Sequence, residues 1–161
     1  MFQIIFGIVF PVVFGIWGFH SLWLGTATVV EASRSTHWQF VYGRVRSAQI
    51  AKRWSVGEPG VRPSIVYDYT VDGKEFSSER ITFGMQDDFF SSADFAQKYV
   101  DRYPAGSRVQ IFYDPSSPAN AVLEPGLSVW TFVPSLIGLG LLISVCLLLL
   151  ANAAGFLTNV D

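Results

Sequence analysis

Hydrophobic and polar positions divide this chain into an apolar head, a polar middle and an apolar tail. From Phe2 to Gly25 there is no formally charged residue. At about 1.5 Å of rise per residue, that run crosses roughly 30 Å of hydrocarbon as a helix. Leu127 to Ala151, with LIGLGLLISVCLLLL at its heart, is equally free of charge and predicts a second spanning helix. Trp17, Trp23 and Trp130 stand where the interfacial belt favours an indole, and His20 lies between the first two. Pro11 predicts a kink in mid-span. Pro134 either opens the second helix at its first position or kinks its first turn. A cleaved signal peptide competes for the first run, since Val30-Glu31-Ala32 resembles a peptidase site. A retained anchor is preferred, because the run is long and has no basic residues before it.

Inside the polar middle the period changes to two. In SIVYDYTVDGKEFSSERITF, from Ser64 to Phe83, Ile65, Tyr67, Tyr69 and Val71 line one face of a strand. Asp72-Gly73 suits a two-residue type I′ turn, and Phe76 to Phe83 is expected to return antiparallel. Tyr42 to Ile50 reads as a weaker first strand, and Trp54 to Pro63, with two Gly and two Pro, as a loop. Ser91 is the expected N-cap of a helix over about 91–103, with Asp94 in its first turn and Phe90 stapled onto Phe95. Its buried face is Phe95, Tyr99, Val100 and Tyr103. Val109, Ile111 and Tyr113 alternate as a further strand, Asp114 to Pro118 is a turn, and Asn120 to Leu123 a last short strand.

The expected architecture is therefore a membrane protein of α+β class: two transmembrane helices bracketing a small antiparallel β-sheet domain with one amphipathic helix. Its parts are helix 2–25, connector 26–39, β-rich domain 40–126, helix 127–151 and tail 152–161. Gly140 and Ser144 form a small-xxx-small pair, as do Ser21 and Gly25, and Gly7 and Gly15 are further points of close approach. Such residues let the two helices pack on each other, or let a homodimer form through Gly140 and Ser144.

Charge sharpens this picture. The chain is half hydrophobic and 15% charged, and all 11 Lys and Arg fall between Arg34 and Arg108, together with most of the 13 acidic residues. That near balance, without a basic stripe, argues against nucleic-acid binding. Arg44, Arg46, Lys52 and Arg53 make a modest cluster suited to anionic headgroups or to a solvated strand face. Cys146 is the only cysteine and lies deep in the second span, where a thiol behaves as a small hydrophobe.

Candidate chemistry is thin. His37 has no metal-ligand or triad spacing around it. The adjacent Asp87 and Asp88 point apart in an extended segment, and Asp114 before Pro115 is a turn former. Asp68 stands alone in its strand, and the glycines make no phosphate-binding spacing. No catalytic, cofactor-binding or metal-binding residue is assigned, and no cofactor is expected.

The run RYPAGSRVQIFYDPSSPANAVLEPG from Arg102 to Gly126, with YDYTVDGKEF upstream and the stretch from Trp38 to Gly43, resembles the DUF3592 family of small, mainly bacterial, membrane proteins. Gln39 departs from the proline that often follows the tryptophan there. The resemblance implies the two-pass architecture and lends no activity, substrate or catalytic residue.

The expectation is a non-catalytic membrane-anchored module, an interaction or accessory subunit of a membrane or envelope complex in the cell (inner) membrane. An enzyme or transport accessory with an unrecognised site is the alternative. Arg34, Arg44 and Arg46 favour a cytoplasmic domain by the positive-inside rule, which weakens for long connecting domains. The resemblance implies an extracytoplasmic domain with both termini cytoplasmic, and that orientation is the one adopted.

Overall fold

The computed structural model describes residues 9–53, 60–85 and 92–158. In chain order the elements are α1 (Phe10–Ser35), β1 (Gln39–Arg53), β2 (Gly60–Val71), β3 (Lys74–Ser78), α2 (Ala93–Arg102), β4 (Arg108–Asp114), β5 (Ser117–Val122) and α3 (Val129–Thr158). The fold is α+β, and α1 and α3 are both long and apolar enough to cross a membrane. Two compact units result, one of residues up to Thr28 with those from Phe132 on, the other Val29–Thr131.

In the helical unit, α1 and α3 approach closely at small residues. A Cβ on Gly138 would stand 2.7 Å from the Gly18 carbonyl oxygen and the Leu22 nitrogen, and one on Gly25 would overlap Ser135. The seam therefore uses Gly18, Gly25, Ser135 and Gly138 rather than Gly140 and Gly15, which face open space. At about 100° per residue, Gly138 and Gly140 lie roughly 200° apart around the helix, so both cannot serve one seam. Ser144 turns its hydroxyl back to the Gly140 carbonyl at 2.8 Å. Gly7 lies outside the described residues.

Both helices exceed their expected limits. Helix α1 continues past Gly25, through most of the segment read as a connector, to Ser35. Three of its hydroxyls are absorbed by back-bonding to the preceding turn, Thr26 to Trp23, Thr28 to Leu24 and Ser35 to Ala32. Helix α3 starts at Val129, so Pro134 is an interior residue and neither the first helical position nor part of the first turn. Ser128 and Thr131 set that start: the Ser128 N–H donates to the Thr131 hydroxyl at 3.0 Å, a reach-back of the capping-box kind. Pro11 sits in the first turn of α1 as described.

The second unit holds a five-stranded sheet ordered β3-β2-β1-β4-β5, every described pair antiparallel. The hairpin forms as its sequence demands, with Asp72 and Gly73 at φ of 51° and 77°, the positive values of a type I′ turn. Two limits differ. Strand β2 starts at Gly60, so Gly60 to Pro63 is strand rather than loop, paired with β1 through Arg53 to Ile50. Pro63 is tolerated because β3 pairs only with Tyr67 to Val71, leaving the other edge there unpaired. Strand β3 ends at Ser78, because the segment after it turns to the end of β5, where Leu123 and Glu124 donate to the Ile81 carbonyl. Residues 54–59 lie outside the described residues.

The core beneath the sheet contains Val45, Ile65, Tyr67, Tyr69, Ile111 and Tyr113, the inward positions of the predicted alternation. Burying tyrosines requires partners for their hydroxyls. Tyr67 donates to the Arg80 and Ala121 carbonyls at 2.8 and 3.1 Å, Tyr69 to Pro118 at 2.6 Å and Tyr113 to Gln39 at 3.0 Å. Burial pushes the Tyr67 pKa upward, so the hydroxyl stays a donor. Helix α2 covers this core with buried Ala96 and half-buried Phe95, Tyr99 and Tyr103. Its N-cap is Ser92 rather than Ser91, the Ser92 hydroxyl accepting from the Phe95 N–H at 3.3 Å. Ser91 and the expected staple from Phe90 lie outside the described residues.

The seam makes a differential prediction. Gly138→Leu, which forces a side chain into α1, should lower the thermal midpoint in detergent by an amount equivalent to about 1–3 kcal/mol of overpacking. Gly140→Leu should leave it unchanged.

Candidate functional site

Strand β1 is shared between two neighbours along its length. Its first half, Gln39 to Arg44, pairs with β4, and its second half, from Arg44 on, pairs with β2. Arg44 is the hinge, opposite Arg108 on one side and Asp68 on the other. Asp68 is in turn opposite Ser77 of β3. Directly opposed residues share a face, so Ser77, Asp68, Arg44 and Arg108 form one row across four strands on the face away from the core. One row further, Thr70 pairs with Glu75 and Tyr42 with Gln110, while β1 and β2 no longer pair.

That parting opens a cleft of about 600 Å³, lined on one side by Tyr42 and Arg44 and on the other by Asp68, Thr70, Glu75 and Ser77. Gly43 permits it. A Cβ there would lie 2.2 Å from the Asp68 carbonyl oxygen and 2.4 Å from the Ile111 side chain, so β1 clears β2 only without one. A bulge between Val45 and Ser47 leaves Arg46 as an extra residue. Bulges of this kind re-aim side chains. Arg46 reaches across to Asp68, its Nε donating to Oδ2 at 2.7 Å and its second nitrogen to Oδ1. The Arg108 guanidinium lies 4.1 Å from the centre of the Tyr42 ring, a cation–π contact. Tyr42 contacts Phe40 edge-on, and both rings are more than half exposed.

The electrostatics divide the arginines. Arg46 is matched by Asp68, whose carboxyl it holds below its ordinary value of 3.8 through the hydrogen bond, with Ser77 assisting. Arg44 and Arg108 make no salt bridge among the described residues.

The other candidates are scattered. His37 is exposed, its Nδ1 2.9 Å from the Thr36 hydroxyl. The Asp114 carboxylate accepts from the amide and hydroxyl of Ser116, the turn role its sequence predicts. His20 is exposed on α1, and Asp87 and Asp88 lie outside the described residues. Lys52 is not part of the cleft, since eight residues of strand place it roughly 26 Å from Arg44. Arg108 and Tyr42 went unnoticed in the sequence. Alternation puts both on the outer face, but only strand pairing makes Arg108 a neighbour of Arg44.

The family described as Domain of unknown function (DUF3592) matches residues 41–128, more than half of the 161. The chain belongs to the DUF3592 family. No curated protein and no solved structure matches it. The DUF3592 match holds the whole cleft, from Tyr42 to Arg108, and leaves α1 and α3 outside.

Asp68 ionises more readily folded than unfolded. Its contribution to stability is therefore present above pH 3.8 and lost as pH falls through the lower folded value. The stability difference between wild type and Asp68→Asn should be constant near neutral pH and vanish in acid, read by urea denaturation at each pH.

Proposed function

We propose that this DUF3592 protein is a non-catalytic module anchored in a bacterial cell membrane by α1 and α3, serving as an accessory subunit of a membrane or envelope complex. The sheet domain is extracytoplasmic in this reading, with both termini in the cytoplasm. Recognition takes place at the cleft, through groups that carry negative charge.

The observation that carries the reading is the cleft's chemistry. Its dominant groups are guanidiniums, which hold a proton at any physiological pH and so serve binding rather than proton transfer. Asp68 is engaged by Arg46 and kept ionised.

Anchoring is supported by the exposed surface of the helical unit. Ile16, Trp17, Phe19, Trp23, Leu136, Leu147 and Leu150 are between 62 and 68% exposed. Leaving such side chains in water forgoes about 1.5–3 kcal/mol each, a sum comparable with the whole stability of a domain.

Three outcomes are expected. The protein should remain in membranes washed with alkaline carbonate, and its release would remove the anchoring. In mild detergent a stoichiometric component should co-purify with wild type and with Lys98→Glu but be lost with Arg44→Glu. Retention by Arg44→Glu would remove the cleft as the recognition site. Reporter fusions at Asp161 should fluoresce in the cytoplasm and be inactive as an external reporter.

A further inference from the structure

We infer that the cleft at the parting of β1 and β2 binds a phosphate ester, its phosphate bridging Arg44 and Arg108. The inference rests on the recognition reading above and names the chemical class of the ligand.

Arg44 and Arg108 are direct cross-strand partners. Like charges in that position destabilise an antiparallel pair. The row already contains one carboxylate, Asp68, but Arg46 engages both of its oxygens. Two arginines opposed on adjacent strands thus both line a cavity of about 600 Å³ without a carboxylate partner among the described residues. A bound anion offsets that repulsion.

The number of donors selects the anion. A carboxylate has two coplanar oxygens, and a single guanidinium fork engages both of them, as in the Arg46 and Asp68 pair. Two further forks on adjacent strands call for an acceptor with three or more oxygens outside one plane, which a phosphate supplies. Arg108 lies over the Tyr42 ring, a contact to the π face that uses none of its N–H groups as a hydrogen-bond donor to a carboxylate. Two unmatched positive charges correspond to the charge of about −1.5 to −2 on a phosphomonoester at neutral pH. Glu75 on the far wall repels an anion and so confines the phosphate to the side of β1 and β4. The space beside Tyr42, Thr70 and Ser77 is left for the organic remainder of the ester.

Such a phosphate belongs either to a soluble ester or to a lipid headgroup, and two arms of one experiment separate them. In the first, detergent-solubilised full-length protein is titrated with glycerol phosphate. Phosphorus NMR line broadening and the thermal midpoint are followed, with potassium chloride at matched ionic strength and sodium acetate as controls. In the second, the protein sits in nanodiscs of phosphatidylcholine with or without phosphatidic acid, whose headgroup is a phosphomonoester, and the midpoint is followed. Binding in either arm should weaken tenfold or more in Arg44→Thr and Arg108→Thr, weaken less in Arg44→Lys, and persist in Lys98→Thr. A response confined to the first arm assigns a soluble ester, and one confined to the second a headgroup. The inference is overturned if neither arm depends on Arg44 and Arg108, or if acetate acts as strongly as glycerol phosphate. Loss of a co-purifying subunit in Arg44→Glu without any phosphate response would leave the recognition reading standing and remove this one.

Discussion

One strand serving two neighbours is the constraint on which the sheet domain depends. Strand β1 must satisfy its backbone against β4 over Gln39 to Arg44 and against β2 from Arg44 to Arg53. It does so by changing sides at a single residue. Gly43 provides the clearance, and the bulge after Val45 absorbs the change in register. Because the twist of a sheet accumulates along its strands, β1 and β2 diverge on the N-terminal side of that crossing. The cleft is the space so created, and its charged row is fixed by backbone hydrogen bonds rather than by flexible loops. The backbone of a cleft built this way is preorganised.

The same economy governs the polar groups inside. Tyrosines replace aliphatic residues along the inward face of β2 and β4, and each hydroxyl finds an acceptor where a strand ends: Arg80 and Ala121 for Tyr67, Pro118 for Tyr69, Gln39 for Tyr113. Those bonds tie β2 to β5 and to the segment after β3, which the backbone ladder alone leaves apart. Ser35 acts similarly at the end of α1, donating to Ala32 while accepting from the Gly126 N–H at 2.8 Å. In the helical unit, α1 and α3 pack closely at Gly18 and Gly138.

These features bear on the function together. The family match coincides with the sheet domain, the part that carries the cleft, while the helices are defined by length and apolarity alone. Under the proposed reading, the sheet domain carries the distinctive surface and the two apolar helices hold it near a bilayer. Guanidiniums, an aromatic ring beneath one of them and a carboxylate already engaged by Arg46 are the groups on which that reading rests.

By itself, the sequence determined whatever depends on residues close together along the chain. The two apolar runs, the period of two in Ile65 to Val71, the Asp72-Gly73 turn, the Asp114 turn and the apolar face of α2 are all local patterns, and each appears in the structure. Element ends were less legible. Back-bonded Ser and Thr let α1 run on to Ser35, the Ser128 and Thr131 cap started α3 ahead of Pro134, and a neighbouring strand rather than composition decided that Gly60 to Pro63 is extended. Only the tertiary structure decided the site. Arg44, Asp68, Ser77 and Arg108 come from four strands and become one row through pairing, and pairing register is a long-range property that no spacing along the chain encodes.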